Sequence, residues 1–237
     1  MDEQLFAGYL LHFGLTRQEA LVYQKLLLKG KQTGYEVAKE AGISRSNAYS
    51  SLAGLVEKGA AYLVEESAKR YIPVRLEEFC ENCIRRMKAE EEWMVRNLPE
   101  GQVDEEGYIT IEGEANIRDK VKNLIVSAKE RVYLSCAVQV LGEFQNELKQ
   151  LASEEKKVVI ITDGPFGMDG ARVYLTEDKG KQIGLITDSK YVLSGEYGKG
   201  SMNTCLYSGQ NNFVLVFKTA LANEIKLIEI CRGEEGR

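Results

Sequence analysis

Val37-Ala38-Lys39-Glu40-Ala41-Gly42-Ile43-Ser44-Arg45-Ser46-Asn47-Ala48-Tyr49-Ser50-Ser51-Leu52 decides how the first third of this chain folds. A short helical run from Thr33 ends at Gly42, which can take the positive φ that a tight interhelical turn needs. Ser44 caps a second helix running to Gly59, with Ala48, Leu52, Leu55 and Val56 recurring on one face. Arg45, Ser46, Tyr49 and Ser50 then turn outward near its amino end, and Asn47 falls at the margin. Upstream, Thr16 and Glu19 form a capping box that opens a helix reaching Gly30. Downstream, Ala61–Val64 and Arg70–Val74 are β-like runs joined by the polar Glu65-Glu66-Ser67-Ala68-Lys69. Helix, helix, turn, helix and charged hairpin read as a winged helix-turn-helix over residues 1–75.

Such a module presents its second helix to the major groove of double-stranded DNA, with the amino-terminal turns nearest the base edges. Arg45 can donate twice to guanine and Asn47 can pair with adenine, while Ser44, Ser46 and Ser50 suit phosphate or base. Thr33 and Tyr49 complete the surface, and Lys69 and Arg70 on the wing face the flanking backbone or minor groove. A winged helix that touches only protein is the alternative.

The net charge of −5 looks wrong for a DNA partner until it is divided along the chain. Residues 1–75 hold ten lysines and arginines against eight acids, a net of +2, whereas residues 76–106 hold four against ten. The local footprint decides nucleic-acid binding, so the acidic middle does not exclude it. In that middle, Cys80, Ile84, Met87, Glu91, Met94 and Leu98 recur at alternating spacings of four and three. This heptad seam, imperfect at Glu91, predicts a dimerisation helix over 76–98 and hence a homodimer. Pro99-Glu100-Gly101 stops it, and Asp104-Glu105-Glu106 marks the boundary of a third segment, 105–237.

That third segment alternates strand-like and helical runs, which predicts parallel pairing in an α/β domain. The fold class expected for the whole chain is therefore α+β and α/β in two domains. No membrane partner is expected, since the longest apolar run, Val158-Val159-Ile160-Ile161, is far too short to span a bilayer. Nor does a signal peptide open the chain; with five cysteines, an odd number, this predicts a reduced, cytoplasmic protein.

The stretch from Phe13 to Tyr23, the run Val37–Tyr49, Leu52–Gly59 and the wing Lys69-Arg70-Tyr71 resemble the TrmB family of transcription regulators. The resemblance implies a dimerising helix next and then a carboxy-terminal domain like phospholipase D, both matching the order found here. It also implies a small-molecule effector bound by that last domain.

The phospholipase D motif needs His-x-Lys, then an Asp after four intervening residues, with the His as nucleophile. Around Asp188 those places hold Lys181 and Ile183, and the sole histidine of the chain is His12. A phosphodiesterase or nuclease of that type is thus excluded by inventory, as are Ser-His-Asp hydrolysis and multi-histidine metal sites. No cofactor is expected. Ligands of α/β sheets bind at the carboxy ends of parallel strands, which nominates Ser135, Cys136, Asp163, Gly164, Lys181 and Tyr207 as effector contacts. Effector sensing and a ligand-free DNA-binding adaptor remain alternative roles for the domain. Cys80-Glu81-Asn82-Cys83 places two thiols on one helix face; packing is the simple reading, and zinc or redox sensing the other.

Overall fold

Short polar side chains start the amino-terminal helices of the computed structural model, which describes residues 2–65, 68–99 and 107–235, with side chains to residue 231. The Asp2 carboxylate accepts the Gln4 and Leu5 amides at the head of α1 (Glu3–His12). Thr16 accepts the Glu19 amide at 3.2 Å, and Glu19 accepts the Thr16 amide at 2.7 Å, opening α2 (Arg17–Lys29) with the expected capping box. A two-residue strand, β1 (Gln32–Thr33), follows; it is too short for any periodicity to reveal. Thr33 repeats the box with Glu36 to open α3 (Gly34–Ala41), which ends at Gly42 with φ +64°. Ser44 then caps α4 (Arg45–Glu57) by accepting the Asn47 amide. The wing is an antiparallel hairpin of β2 (Ala61–Glu65) and β3 (Lys69–Pro73), with β1 on the other side of β3. Its tip residues Glu66 and Ser67 lie outside the described residues, as do Glu100-Gly101 and the expected linker Asp104-Glu105-Glu106.

Tyr23, Leu26, Val37, Ala48, Leu52 and Leu55 are fully buried between these helices. Each large apolar side chain so buried contributes about 1.5–3 kcal/mol. Gly54 lets α2 and α4 approach: a Cβ there would lie 2.2 Å from the Glu19 Oε1 atom. The same carboxylate accepts from the Lys58 ammonium at 2.6 Å. Burial alone would raise the Glu19 carboxyl, but the bonds from Lys58 and Thr16 outweigh it and hold it low. The Tyr23 hydroxyl donates to the Val74 carbonyl at 2.8 Å, and its ring meets Phe79 edge-on at 5.5 Å. Phe79 and the buried Cys83 thereby bind α5 (Leu76–Arg96) to its own unit.

The chain divides into two units, Met1–Gly101 and Gln102–Arg237. In the second, β4 (Tyr108–Glu112) leads through α6 (Glu114–Val126) to β5 (Arg131–Cys136). A short helix α7 (Val138–Leu141), a 3-10 turn and α8 (Gln145–Ser153) follow, then β6 (Lys157–Thr162) and β7 (Ala171–Leu175). A meander of β8 (Gln182–Thr187), β9 (Tyr191–Glu196) and β10 (Thr204–Ser208) precedes the long α9 (Asn211–Glu235).

These strands form one seven-stranded sheet in the order β4-β10-β9-β8-β5-β6-β7. Only β5, β6 and β7 are parallel, which corrects the expectation that β4 would pair in parallel with β5. The cause is local. Asp188 (φ 51°) and Ser189 (φ 57°) are the left-handed central residues of a turn in the three-residue loop 188–190, closed by the Lys190 amide donating to the Thr187 carbonyl at 2.9 Å. That geometry closes a β8–β9 hairpin, and β10 returns beside β9 and takes β4 as its antiparallel neighbour.

Alternating side chains divide the sheet into two faces. Val132, Leu134 and Cys136 pack with Ile117, Val121, Ile125 and Leu148 of α6 and α8 on one. Val159, Ile161, Ile186 and Val192 pack with Val214 and Leu221 of α9 on the other. Among the described residues no helix is long and apolar enough to cross a membrane.

Candidate nucleic-acid interface

α4 meets its neighbours through Ala48, Leu52 and Leu55, all fully buried, and through half-buried Val56. The opposite face leaves Ser44, Arg45, Ser46, Asn47, Tyr49 and Ser50 exposed, as the periodicity predicts. Two contacts then set how this surface is shaped. The Arg45 guanidinium carbon lies 4.6 Å from the ring centroid of Tyr35 on α3, a stack worth about 0.5–1 kcal/mol at an exposed site. Tyr49 lies across Gly34, where a Cβ would come 2.5 Å from its Cε1 atom, so the absence of a side chain at Gly34 lets α3 and α4 close up.

The first turn of α4 differs from those of α2 and α3. It contains no acidic residue, whereas Glu19 and Glu36 close the other two. With Arg45 present and no carboxylate to cancel it, the helix dipole and open amides there favour an anion such as a backbone phosphate. Thr33 is otherwise engaged. Its hydroxyl donates to the Glu36 carboxylate at 2.8 Å and accepts the Glu36 amide, so it shapes the surface by capping α3. The same Thr33 hydrogen bonds hold the Glu36 carboxyl below its ordinary value. Lys69 is exposed on the wing, and Arg70 is half-buried in β3 opposite Thr33. Tyr35 went unnoticed in the sequence because its partner lies on another helix, where no periodic signal connects them.

Along α5, Ile84, Met87 and Met94 are half exposed or more, at 57%, 50% and 58%, and Leu98, just past the end of the helix at Arg96, is 75% exposed. Cys80 departs from that face: it is half-buried against the core of its own unit. Cys83 is buried and accepts from the Arg86 guanidinium at 3.2 Å, while burial raises the Cys80 thiol. Two thiols packed against the core of their own unit are what the simple reading of the Cys-x-x-Cys requires.

Most of the residues nominated as effector contacts are engaged within the fold. The Asp163 carboxylate accepts the Val138 amide at 2.8 Å and the Lys179 amide at 3.2 Å, which keeps it strongly acidic. Gly164 is covered by Val138, and Lys181 donates to the Gly200 carbonyl. Cys136 is fully buried beneath α6 and α8, its thiol pushed up to about 12 by burial. Tyr207 lies level with Leu193 and Leu185 in mid-sheet, its ring buried, stacked on Tyr191 and 3.9 Å from the Lys120 ammonium. Ser135 alone lines a cavity, of about 400 Å³, between the sheet and α9. Asp188 accepts the amides of Lys129, Glu130 and Arg131 at 2.8–2.9 Å, which makes it a structural anchor of the turn. His12 is exposed at the end of α1, in the other unit.

The amino-terminal unit is thus a winged helix-turn-helix with an open, polar second helix, the architecture of a transcription regulator. The family model described as "Sugar-specific transcriptional regulator TrmB" matches residues 10–77. The protein YrhO of Bacillus subtilis (strain 168) is 30% identical over 234 residues, spanning 93% of this chain and 84% of that one. The HTH-type sugar sensing transcriptional regulator TrmBL1 of Pyrococcus furiosus is 29% identical over 173 residues, covering 70% of this chain and 49% of that protein. Among solved structures, the archaeal chromatin protein TrmBL2 aligns over 94% of this chain and 98% of its own, at 18% identity and a TM-score of 0.41. NucT from Helicobacter pylori covers 51% of this chain and 96% of its own, at 17% identity and a TM-score of 0.38. The amino-terminal unit of this chain carries a TrmB-family domain, and the chain as a whole is related to YrhO.

Proposed function

We propose that the chain regulates transcription as a homodimer that places α4 of each protomer in successive major grooves, with the carboxy-terminal unit binding a small-molecule effector. The observation that carries the DNA reading is the first turn of α4: exposed Ser44, Arg45, Ser46 and Asn47, no acid, and Arg45 held on Tyr35. Lys69 and Arg70 on the wing add backbone contacts outside the groove. The exposed apolar face of α5 at Ile84, Met87 and Met94, with Leu98 just beyond its end, supports pairing between protomers. Two half-sites bound together multiply affinity, which a module with a net charge of only +2 needs.

The role is not enzymatic. With His12 as the sole histidine, no imidazole is available to the second unit for a phosphodiesterase step. An effector acts by changing how well both half-sites fit at once, in a cytoplasmic protein with access to the chromosome. Footprinting with the purified chain over genomic fragments, including the region upstream of its own gene, tests the reading. Protection of a site with two similar halves about one helical turn apart is expected. Absence of any protected sequence would sink it.

A further inference from the structure

The first turns of three parallel strands repeat one pattern: Arg131-Val132-Tyr133, Lys157-Val158-Val159 and Arg172-Val173-Tyr174. Arg131 and Lys157 are directly paired across β5 and β6, so both cations leave the sheet on the same face. That face carries α9, which adds Lys218 and Lys226 two turns apart, with Ala222 on the turn between them leaving space. The five cations surround a cavity of about 350 Å³ whose wall contains no carboxylate. Its floor is apolar, made by Val159, Ile186, Leu221 and Ile225 with the rings of Tyr133 and Tyr174.

Several cations elsewhere in this unit are matched. Arg118 pairs with Glu114, Lys122 with Glu147, Lys156 with Glu154 and Lys179 with Glu224. Around the cavity only Arg131 has such a partner, Glu130, and the Lys157 ammonium lies 5.4 Å from the Tyr133 ring centroid. Among the described residues Arg172, Lys218 and Lys226 make no ion pair. Like charges on adjacent strands repel, so gathering five here raises the free energy of the empty cavity. An anion in the cavity relieves that repulsion. The apolar floor adds a second requirement, a carbon skeleton beneath the charge, which a bare polyphosphate backbone does not meet.

We propose that this cavity, at the amino ends of β5 and β6, binds a small phosphate monoester and is the effector site of the regulator. The proposal rests on the effector-responsive reading above, and relocates its site from the carboxy ends of the strands to the opposite end of the same sheet. Arg172 and the two α9 lysines hold the phosphate, and the tyrosines and aliphatic floor receive the carbon body. Because Lys218 and Lys226 stand on α9, a bound phosphate draws that helix onto the strands, which offers a route for the ligand to alter the unit.

Thermal melting and calorimetry on the full chain test this, with glucose 6-phosphate, 3-phosphoglycerate and inorganic phosphate as probes, and glucose and potassium chloride at matched ionic strength as controls. A saturable rise in melting temperature is expected with at least one phosphate ester and not with glucose or chloride. The Arg172→Ala/Lys218→Ala double variant should bind that ester at least tenfold more weakly, while Lys149→Ala, outside the cavity, binds it as the parent does. The proposal is overturned if no phosphate ester gives a saturable shift, if glucose or chloride matches it, or if the double variant responds like the parent. It is also overturned if the double variant loses affinity for duplex DNA without any ester present, since the cations would then be DNA contacts. Footprinting of the unliganded parent in parallel separates the two failures, because operator protection can persist while the ester fails to bind.

Discussion

The first turn of α4 and the carboxy rim of β5 and β6 were both nominated by polar residues at the ends of regular elements, yet they have opposite fates. At α4 the side chains of Arg45, Ser46 and Asn47 remain exposed, and Ser44 is engaged only in capping the helix that displays them. At the rim, Asp163 is occupied by two backbone amides, Lys181 by a carbonyl and Gly164 by Val138. Polar identity at an element's end therefore marks a site only where the backbone has not already claimed the side chain. The amides of a helix start and of an irregular loop must find partners, and short carboxylates and hydroxyls nearby supply them.

The comparison breaks if removal of a claimed group affects binding, or removal of an open one affects folding. Asp163→Ala should have the largest effect, lowering stability by about 2–3 kcal/mol because two loop amides lose a charged acceptor. The loss should be read from urea unfolding at neutral pH, with duplex DNA affinity of the folded variant unchanged. Its acid dependence has a definite sign. Hydrogen bonds from Val138 and Lys179 lower the Asp163 carboxyl from its ordinary value, so its contribution is present above that value and disappears as pH falls through the lower, folded one. Parent and variant should thus begin to converge in stability as pH falls below about 4, near the ordinary aspartate value, and meet only below the lower, folded one.

Arg45→Ala should come next, costing about 1–3 kcal/mol in specific DNA binding, with the melting temperature close to that of the parent. A gel-shift titration against the footprinted site and a scrambled duplex checks it, and equal weakening of both would make Arg45 a backbone contact only. Lys69→Ala should have the smallest effect, a uniform weakening on every sequence and a salt slope flatter by about one unit. Sequence-selective loss at Lys69 would mean that the wing reads bases and does not merely track phosphate.

Most of the amino-terminal unit was legible in advance because its signals are local. The Thr16–Glu19 box, the Gly42 turn, the Ser44 cap and the Ala48–Leu52–Leu55 stripe each lie within a few residues, and each is found as read. Cys80 was misread for the opposite reason. The heptad count placed it on the dimer seam, but the pull of the Phe79 and Tyr23 contact turns that end of α5 into its own unit. The parallel pairing expected for β4 failed because a hairpin closed by Asp188 and Ser189, far along the chain, supplies β10 as its neighbour. Even so, the Arg-x-Tyr, Lys-x-Val and Arg-x-Tyr starts of β5, β6 and β7 stood in the sequence; their meaning depends on knowing that those three strands are adjacent and aligned.

By itself, the sequence determined the winged helix, its outward-facing residues and the presence of a single histidine, His12, since caps, periodicity and inventory need no tertiary partner. Only the tertiary structure decided which polar groups are available to a ligand. It set Arg45 on Tyr35, consumed Asp163 and Asp188 in backbone contacts, and collected five scattered cations into one cavity wall. Charge and hydrogen bonding depend on distance in space, and strand order, which sets those distances, is fixed by pairings between segments remote in the chain.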